Sequence, residues 1–321
     1  MTVNQDLNDF TVAICTYNGE KRLPEVLDKL RSQINTENLS WEVIVIDNNS
    51  SDNTAKIVQE YQTNWSSKNP LRYCLETEQG LGYARKRAIA ESGAELIGFL
   101  DDDNLPQPDW VAAAYAFAQE HPKAGAYGSK ISADYEMQPP ENFHRIAAFL
   151  AITERGSSPL LYNPQTKLLP PGAGIVVRKQ AWLSSVPGQC ILAGRIKGDM
   201  LAGEDLEVLY HIQKLGWEIW YNPAMHLYHK IPSHRLQKDY LIPLFRGIGH
   251  CRYATRMIGV KFWLKPIFTI AYILNDLKKI IFHLLKHRTK AQKDLVLACE
   301  LQLMKSSLIS PFYLWKKGYL D

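Results

Sequence analysis

The chain has few cysteines and no cysteine pattern suited to a metal or a disulfide framework. Its five cysteines are scattered through 321 residues, and no two of them form a CxxC pair. This distribution argues against a thiolate zinc site and a disulfide scaffold, and it is typical of a reducing compartment. The N-terminal segment also lacks the basic and apolar stretches of a secretory signal, so we expect a cytoplasmic protein.

Two common nucleotide-binding fingerprints are absent as well. No GxGxxG follows the first predicted strand, and neither GxxxxGKS nor GxxxxGKT occurs in the chain. The first absence argues against the standard dinucleotide site, and the second argues against a P-loop kinase or ATPase. Any nucleotide site in this protein is therefore built from other residues.

Charge is distributed unevenly along the chain, although the net charge is only +4. Residues 246–321 contain 14 Lys and Arg against 4 Asp and Glu, whereas the other 245 residues contain 23 against 29. An acidic body with a basic tail predicts that the tail meets an anionic partner. A membrane surface, a nucleic acid and a charged lipid carrier all satisfy this condition.

The first third of the chain alternates between predicted strands and predicted helices. The strands are Phe10–Cys15, Glu42–Ile46, Leu71–Leu75 and Leu96–Leu100. The helices are Leu23–Ser32, one that runs through Ile57 and Tyr61, and Gly82–Ser92. This order predicts an α/β fold with a mostly parallel sheet flanked by helices, in which ligands bind beyond the carboxyl ends of the strands.

The rest of the chain is less regular and then becomes helical. Further strands are predicted at Gly174–Arg178 and Glu218–Tyr221, with a helix from Glu204 to Leu215 between them. From about residue 236 the sequence is basic, aromatic and helical. We therefore predict a main domain over residues 1–235 and a helical C-terminal extension over residues 236–321.

Three adjacent carboxylates, Asp101, Asp102 and Asp103, follow the fourth predicted strand. Buried together they would repel one another and lose solvation, so a fold keeps them only where a cation or water compensates. Alternate residues of an extended segment share a face, so Asp101 and Asp103 are expected to point away from Asp102. The cluster indicates a Mg²⁺ or Mn²⁺ site completed by substrate phosphates, and the alternative is a solvated acidic turn.

Polar residues also follow the first two strands. Thr16, Tyr17 and Asn18 come directly after the first strand, and Asp47 ends the second. A carboxylate in the position of Asp47 accepts from a base N–H or a ribose hydroxyl, or it only makes an Asx turn. These residues are candidates for one binding edge because the carboxyl ends of parallel strands lie together.

Glu204 and Asp205 open a predicted helix. One interpretation is a general base that deprotonates an attacking hydroxyl, and the other is acidic side chains that complement the helix dipole. His229 lies in a segment with two other histidines, where an imidazole is either a third metal ligand or a structural residue.

Two further candidates are basic or small. Arg85 lies on the third predicted helix, where it reaches a phosphate or a base, or only faces solvent. Gly172, Ala173 and Gly174 follow two prolines, and small residues either permit close approach of a ligand to the backbone or form a plain turn.

The chain resembles the family 2 glycosyltransferases of the GT-A fold in five segments, which occur in the order expected for that family. They are VAICTYNGEKRLPEVLDKL, WEVIVIDNNSSDNTAKIV, GLGYARKRAIAESGAELIGFLDDDNLPQPDWV, PPGAGIVVRK and GEDLEVLYHIQKLGWEIWYNPAMHLYHKIP. The tail and the HKIPSHRL run also resemble cyanobacterial glycosyltransferases of hormogonium polysaccharide biosynthesis. The resemblance implies a Rossmann-like nucleotide-diphospho-sugar transferase that acts in extracellular polysaccharide synthesis.

The same resemblance implies a role for each candidate residue. It places the nucleotide at Thr16, Tyr17, Asn18, Asp47, Arg85, Asp101 and Asp102. It places Mn²⁺ or Mg²⁺ at Asp103, Asp101 and His229, the catalytic base at Asp205 with Glu204 beside it, and the sugar and acceptor pocket at Gly172, Ala173 and Gly174. One departure is that Ala84-Arg85-Lys86 stands where the family usually has Ala-Arg-Asn, which leaves Lys86 without a role.

The implied reaction is a single displacement with inversion. The acceptor hydroxyl attacks the anomeric carbon while Asp205 takes its proton, and the metal stabilises the charge that develops on UDP. The implied partners are a UDP-sugar and a glycan or polyisoprenoid-linked acceptor, without nucleic acid. Two alternatives stay open: a nucleotidyltransferase that forms nucleotide-sugars, and a non-catalytic carbohydrate-binding protein.

The tail contains one strongly apolar segment, Phe262–Leu285, which charged and polar residues interrupt. A spanning helix needs about 18 apolar residues in a row, so we do not predict one here. The mixture of basic and aromatic residues predicts an interfacial helix on an anionic leaflet, which would make the protein a peripheral membrane protein. The alternative is an amphipathic helix that packs on the protein or on a partner chain.

Overall fold

The structure is a computed structural model that describes residues 8–166, 168–188, 190, 192, 203–288 and 293–320. The chain forms two compact units. The first unit comprises Met1–Asp134, Ala151–Val186 and His211–Lys230, and the second comprises Tyr135–Leu150, Pro187–Tyr210 and Ile231–Asp321. The polar clusters after the first strands belong to the first unit, whereas Glu204 and Asp205 belong to the second.

Parallel strands alternating with helices form the first half of the sheet. The strands are β1 (Phe10–Thr16), β2 (Trp41–Asp47), β3 (Leu71–Leu75) and β4 (Leu96–Asp101). The helices are α1 (Leu23–Arg31), α2 (Thr54–Thr63) and α3 (Leu81–Glu91). β1 pairs with β2 and β4, and β2 pairs with β3, all in parallel. The predicted α/β alternation is confirmed, because near-continuous apolar runs are typical of parallel strands buried on both faces.

The register of the parallel strands aligns their polar ends. Thr16 at the end of β1 lies opposite Asp47 at the end of β2, and Cys15 lies opposite Asp101 at the end of β4. The polar residues that follow β1, β2 and β4 therefore meet at one edge of the sheet.

The second half of the sheet is antiparallel. Its strands are β5 (Asn104–Pro106), β6 (Ala124–Tyr135), β7 (Leu160–Leu161), β8 (Ile175–Arg178) and β9 (Glu218–Ile231). The strand order is β3-β2-β1-β4-β8-β6-β9-β5, and β7 pairs with β9. The sequence pattern predicted β8 and the start of β9 but neither β5 nor β6. β9 also runs ten residues beyond the predicted end at Tyr221, which places His229 opposite Asn104.

Buried apolar residues of the strands and helices form a core in the first unit. Phe10 and Trp110 pack edge to face in it, with ring centroids 6.2 Å apart. Trp110 opens helix α4 (Trp110–Glu120). Gly98 lies in the middle of β4, where an added Cβ would lie 2.8 Å from the Trp110 ring and 2.9 Å from the Phe10 ring. Close packing of these rings against β4 therefore requires a glycine at this position.

Long helices dominate the second unit, as the sequence predicts for the tail. They are α7 (Lys238–Met257), α8 (Lys265–His287) and α9 (Leu295–Lys316), and the shorter helices are α5 (Lys179–Ser185) and α6 (Glu204–Lys214). α5 belongs to the first unit and α6 begins in the second. α7 packs against α9 through His250, whose ring stacks on Tyr313 with centroids 3.8 Å apart.

Among the described helices, α9 alone has the length and composition of a membrane span. About half of its apolar stretch is nevertheless buried, at 44%. Apolar helices at the centre of a folded unit satisfy the same criterion, so the finding is weak evidence for a span.

Candidate active site

Asp102 is held by two residues of the β1–α1 segment. The Thr16 hydroxyl donates to Asp102 Oδ2 at 2.5 Å, and Arg22 donates from Nε to Oδ1 and from Nη2 to Oδ2, both at 2.8 Å. The hydrogen bond to Asp102 raises the pKa of Arg22. Gly19 permits this arrangement, because a Cβ there would lie 2.1 Å from Thr16 Oγ1. The carboxylate is thus fixed by a bidentate pair, a geometry that orients as well as stabilises it.

Asp103 faces the opposite direction, towards β9. Its Oδ1 accepts from Asn104 Nδ2 at 3.2 Å and lies 3.4 Å from His229 Nε2. The β5–β9 register places Asn104 opposite His229, and the Lys230 N–H donates to the Asp103 carbonyl at 3.0 Å. Both Asp103 and His229 are buried. Asp102 and Asp103 thus have different partners on different elements, and they lie in a turn rather than in the extended segment that the sequence suggested.

Asp101 is the electrostatically unfavourable member of the triplet. Burial and the neighbouring charge of Asp103 raise the pKa of its carboxyl group, and the charges of Arg85 and His229 oppose this increase. The Asp101 N–H donates to Asn104 Oδ1 at 3.1 Å, so the asparagine side chain closes the turn that carries the triplet. A cation at this position would stabilise the ionised carboxyl groups.

The triplet and His229 fit a divalent cation of the Mg²⁺ or Mn²⁺ class. Carboxylate oxygens and an imidazole nitrogen are suitable donors, and Asp103 and His229 already converge. Within the described residues, no three His, Cys, Asp or Glu side chains are grouped closely enough to hold an ion unaided.

Asp47 closes a local turn after β2, but its hydrogen bond spans three residues rather than the two of the Asx turn that the sequence left as an alternative. Its Oδ1 accepts from the Ser50 N–H at 2.9 Å, and its Oδ2 accepts from the Tyr73 hydroxyl at 2.8 Å. Burial and the hydrogen bond to Asp47 raise the pKa of Tyr73, so the hydroxyl remains a donor. Each carboxylate oxygen still has a second lone pair, so the turn is compatible with recognition of a base or ribose.

The two residues after Thr16 differ in exposure and in partners. The Asn18 side-chain oxygen accepts from the Ser51 N–H at 2.9 Å, and the Asn18 backbone N–H donates to Ser50 Oγ at 2.9 Å. Asn18 therefore joins the loops after β1 and β2. Tyr17 is exposed, so its ring offers a face to a planar ligand.

Arg85 is buried at the same edge of the sheet. Its guanidinium lies 5.8 Å from the centre of the Phe99 ring and contributes to the electrostatics of both Cys15 and Asp101. A Cβ on Gly172 would lie 2.3 Å from Arg85 Nη2. Gly172 therefore lets the guanidinium lie directly against the backbone before β8.

The other two small residues turn into the protein interior. Ala173 belongs to the apolar core, and Gly174 has a left-handed φ of 61°. The Gly174 carbonyl accepts from the Ser129 hydroxyl, and a Cβ there would lie 2.3 Å from Leu227 Cδ2. Gly172 is thus the member of this group that the structure brings to the polar cluster.

Glu204 and Asp205 form the first turn of α6 in the second unit. Asp205 is partly exposed and its Oδ1 accepts from the Leu206 N–H at 2.8 Å. Glu204 is buried and accepts from the Gly203 N–H at 3.0 Å. Both interactions are those of acidic residues at a helix N-terminus, and the partial exposure of Asp205 leaves it accessible to an acceptor.

The other two histidines near His229 have separate surroundings. His226 Nε2 lies 3.0 Å from Ser132 Oγ. The His234 ring packs edge to face on Tyr240, with centroids 5.9 Å apart. Of the three histidines in this segment, the structure brings His229 to the triplet.

Sequence reasoning missed Arg22, Asn104 and Tyr73. Asn104 directly follows the aspartate triplet, and an asparagine in a turn after a strand is a signal for a side chain that closes the turn. Arg22 and Tyr73 have no comparable signal, because their partners Asp102 and Asp47 lie 80 and 26 residues away along the chain.

The comparisons with known proteins identify the family of this fold and site. The family model for glycosyl transferase family 2 matches residues 11–182. The chain belongs to this family. It is a glycosyltransferase, which decides against the nucleotidyltransferase and the non-catalytic binder.

Two curated relatives differ in how much of them the chain covers. The glucosyl-dolichyl phosphate glucuronosyltransferase of Haloferax volcanii is 23% identical over 286 residues, which are 84% of this chain and 86% of that protein. The poly(ribitol-phosphate) β-N-acetylglucosaminyltransferase TarS of Staphylococcus aureus is 34% identical over 113 residues. That match covers 35% of this chain and only 19% of TarS.

Two solved structures share the fold. The mannosyltransferase PcManGT of Pyrobaculum calidifontis, in complex with GDP-Man and Mn²⁺, aligns with a TM-score of 0.57 and 19% identity over 97% of this chain and 86% of that chain. S. aureus TarS 1–349 in complex with UDP-GlcNAc aligns with a TM-score of 0.53 and 16% identity over 97% and 92%. At these identities the likeness is one of fold, and the predicted GT-A fold is confirmed.

Proposed function

We propose that the chain transfers a sugar from a UDP-sugar to a polyisoprenoid-linked or glycan acceptor, with inversion and with a divalent cation. The observation that carries the proposal is that Asp102 and Asp103 contact different partners on different elements. Asp102 is held rigidly by Thr16 and Arg22, whereas Asp103 meets His229 on the other side. One carboxylate is thus positioned for hydrogen bonding to the donor and the next for a cation.

Donor binding uses the polar edge of the sheet in the first unit. Asp47 accepts hydrogen bonds beside the exposed ring of Tyr17, which suits a base with an N–H donor. Asp102 Oδ1 accepts one hydrogen bond from Arg22, so its second lone pair can accept from a ribose hydroxyl. Arg85 lies beside the backbone of Gly172 and offers positive charge to a phosphate oxygen.

Asp103, with Asp101 and His229, would hold Mn²⁺ or Mg²⁺. The cation supplies Lewis-acid stabilisation of the negative charge on the departing diphosphate. The protein's own contribution is a buried, preorganised set of donors whose orientation is fixed by Asn104 and the β5–β9 pairing.

Asp205 is the proposed base. Its carboxylate takes the proton of the attacking acceptor hydroxyl, and the Leu206 N–H donates to its Oδ1. The acceptor attacks the anomeric carbon as the bond to the diphosphate breaks, so the sugar is transferred with inversion and UDP is released. Glu204 supports the same helix terminus.

The acceptor proposal rests on the activity of a relative that aligns over most of its length. The H. volcanii relative acts on a glucosyl-dolichyl phosphate, which is a polyisoprenoid-linked sugar. A similar acceptor for this chain would place it at the cytoplasmic face of a membrane. We also propose a role in extracellular polysaccharide synthesis, as in the hormogonium enzymes. Separately, we propose that the catalytic domain ends near residue 235 and that the remaining residues form its C-terminal extension.

The test is a product assay with the full chain, UDP-sugars, Mn²⁺ and a polyprenyl-phosphate or glycan acceptor. We expect release of UDP and no pyrophosphate. Asp205→Asn should lower the transfer rate by about 100-fold or more, because a positioned base contributes roughly that factor. Asp239→Asn is the matched control, since Asp239 lies in the first turn of α7 in the same unit and is exposed.

A transfer rate of Asp205→Asn within a few-fold of the parent would remove the base from the proposal. Release of pyrophosphate instead of UDP would overturn the reaction itself.

A further inference from the structure

Helix α8 exposes an apolar stripe along one side. The stripe residues recur every three or four positions and have exposed fractions between 43% and 71%: Ile267, Ile270, Leu274, Leu277, Ile281 and Leu285. Isolated exposed apolar residues are common, whereas a continuous stripe over about five turns of helix marks an interaction surface.

The opposite side of α8 is anchored, so the stripe has a fixed direction. Asp276 is buried and accepts from Arg256 of α7 through both carboxylate oxygens, with Nη2 to Oδ1 at 2.9 Å. Ile280 and His283 are buried on the same side. Rotation of the helix to bury the stripe would break this bidentate ion pair.

Exposed aromatic residues extend the stripe at one end. Phe262 and Trp263 precede α8, and Phe312 and Trp315 lie near the end of α9. The Tyr253 hydroxyl lies 3.2 Å from Thr269 Oγ1, and the Tyr253 N–H donates to Ser310 Oγ at 3.0 Å. One residue of α7 thus contacts the start of α8 and the end of α9, so the segments that carry the four aromatic residues lie near the same part of α7.

The charges that flank the stripe have one sign. The exposed basic residues of this segment are Lys261, Lys265, Lys278, Lys279, Lys286 and Arg288. The single acidic residue between positions 261 and 288 is Asp276, which is buried in its pair with Arg256. The exposed charged residues that flank the apolar stripe are therefore all cationic.

We propose that this surface docks on the anionic leaflet of a membrane, with α8 lying in the plane of the interface. Apolar residues enter the boundary between headgroups and acyl chains, aromatic rings sit at headgroup level, and lysines contact anionic phosphates. A second copy of the chain is a poorer fit, because an isologous contact would oppose lysines to lysines without an acidic partner on this face. The inference goes beyond the proposed transfer and does not depend on it.

The experiment is flotation of the full chain with vesicles of phosphatidylcholine, with and without phosphatidylglycerol, in the absence of donor and acceptor. We expect binding to the anionic vesicles that weakens as NaCl is raised, because salt screens the lysine contacts. The double variant Leu274→Glu with Ile281→Glu should weaken binding roughly tenfold or more, since it places charges in the apolar stripe.

The matched control is Leu183→Glu with Leu215→Glu, which changes two exposed leucines of the first unit and alters the net charge equally. We expect this control to bind as the parent does. A second pair of variants keeps the test independent of folding. Lys278→Gln with Lys279→Gln should weaken anionic binding by roughly fivefold per lysine, whereas Lys56→Gln with Lys68→Gln should not.

Equal binding of the stripe variant and the parent would overturn the proposal. It would also be overturned if the parent fails to float with anionic vesicles and sediments as a dimer that the stripe variant converts to a monomer. That second outcome assigns the stripe to another copy of the chain and leaves the transferase untouched.

Discussion

The aspartate triplet and the stripe of α8 depart from ordinary burial in opposite directions. The triplet places carboxylates in a buried position, where Thr16, Arg22 and Asn104 hold them. The stripe places large apolar side chains in solvent, where exposed basic residues flank them. Burying a charge and exposing an apolar surface both cost free energy, so each feature is an indication of a partner.

The two regions also differ in how they are fixed. Asp102 is held by Thr16 and Arg22, and Asp103 contacts His229. These partners come from distant parts of the chain, so small changes around the triplet should alter activity. The stripe needs only the orientation of α8, which the Arg256–Asp276 pair supplies. Changes in the stripe should therefore alter binding to a surface without altering stability. Four predictions separate the regions in this way.

The largest effect is expected at the triplet. Asp103→Asn should lower the transfer rate by about 100-fold or more and weaken Mn²⁺-dependent nucleotide binding, because a charged ligand facing His229 is lost. Steady-state kinetics and titration calorimetry measure the two effects. Asp109→Asn, an exposed carboxylate in the same unit, is the control and should leave both unchanged.

The next effect concerns stability and compares adjacent residues of α8. Ile280 is 8% exposed and Ile281 is 50% exposed. Ile280→Ala should lower the free energy of unfolding by about 2–4 kcal/mol through a cavity, whereas Ile281→Ala should change it by less than about 0.5 kcal/mol. Urea denaturation of both variants tests this difference. Equal losses would mean that the stripe is covered within the chain.

Arg22 is expected to act through Asp102. Arg22→Gln should raise the donor KM by about tenfold with a smaller change in kcat, because Asp102 loses its bidentate partner while the cation site is retained. Arg22→Lys should recover part of the loss. Arg87→Gln, which breaks a surface pair with Glu91, serves as the control. If Arg22→Gln and Asp102→Asn have additive effects, the proposed coupling is absent.

The smallest effect is expected at Gly172. Gly172→Ala should weaken donor binding by a few-fold, roughly 1 kcal/mol, because the added Cβ displaces the end of the Arg85 side chain. Gly93→Ala is the matched control, since a Cβ there meets nothing within 4 Å. Tighter donor binding by Gly172→Ala would show that Arg85 does not contact the donor in this position.

The sequence predicted the local features of the molecule better than the distant ones. The parallel strands were found because apolar runs such as EVIVI and LIGFL are buried on both faces. β6 was missed because its residues, AGAYGSKISADY, mix small, polar and apolar side chains without a strand period. The triplet was visible as three adjacent carboxylates, whereas its meeting with His229 depends on an antiparallel pairing between residues far apart in the chain.

The same limit applies to the roles of single residues. The sequence left Asp47 between an Asx turn and a ligand contact, and the structure shows hydrogen bonds from the Ser50 N–H, three residues on, and from the Tyr73 hydroxyl. The resemblance placed Gly172, Ala173 and Gly174 in one pocket. In the structure Gly172 lies against Arg85, whereas Ala173 and Gly174 face the interior, and this difference depends on backbone geometry that the sequence does not show. Amphipathic character in α8 was recognisable, but the side of the helix that stays exposed was set by the Arg256–Asp276 pair.

Titration calorimetry of UDP, GDP and dTDP, each with and without Mn²⁺, tests the central claim most directly. The account predicts tight binding of UDP that is lost on addition of EDTA, with weaker binding of the other two nucleotides. Tight binding of GDP or dTDP in place of UDP would contradict the proposed donor. Binding of UDP that is unchanged by EDTA and by Asp103→Asn would contradict the proposed role of the triplet.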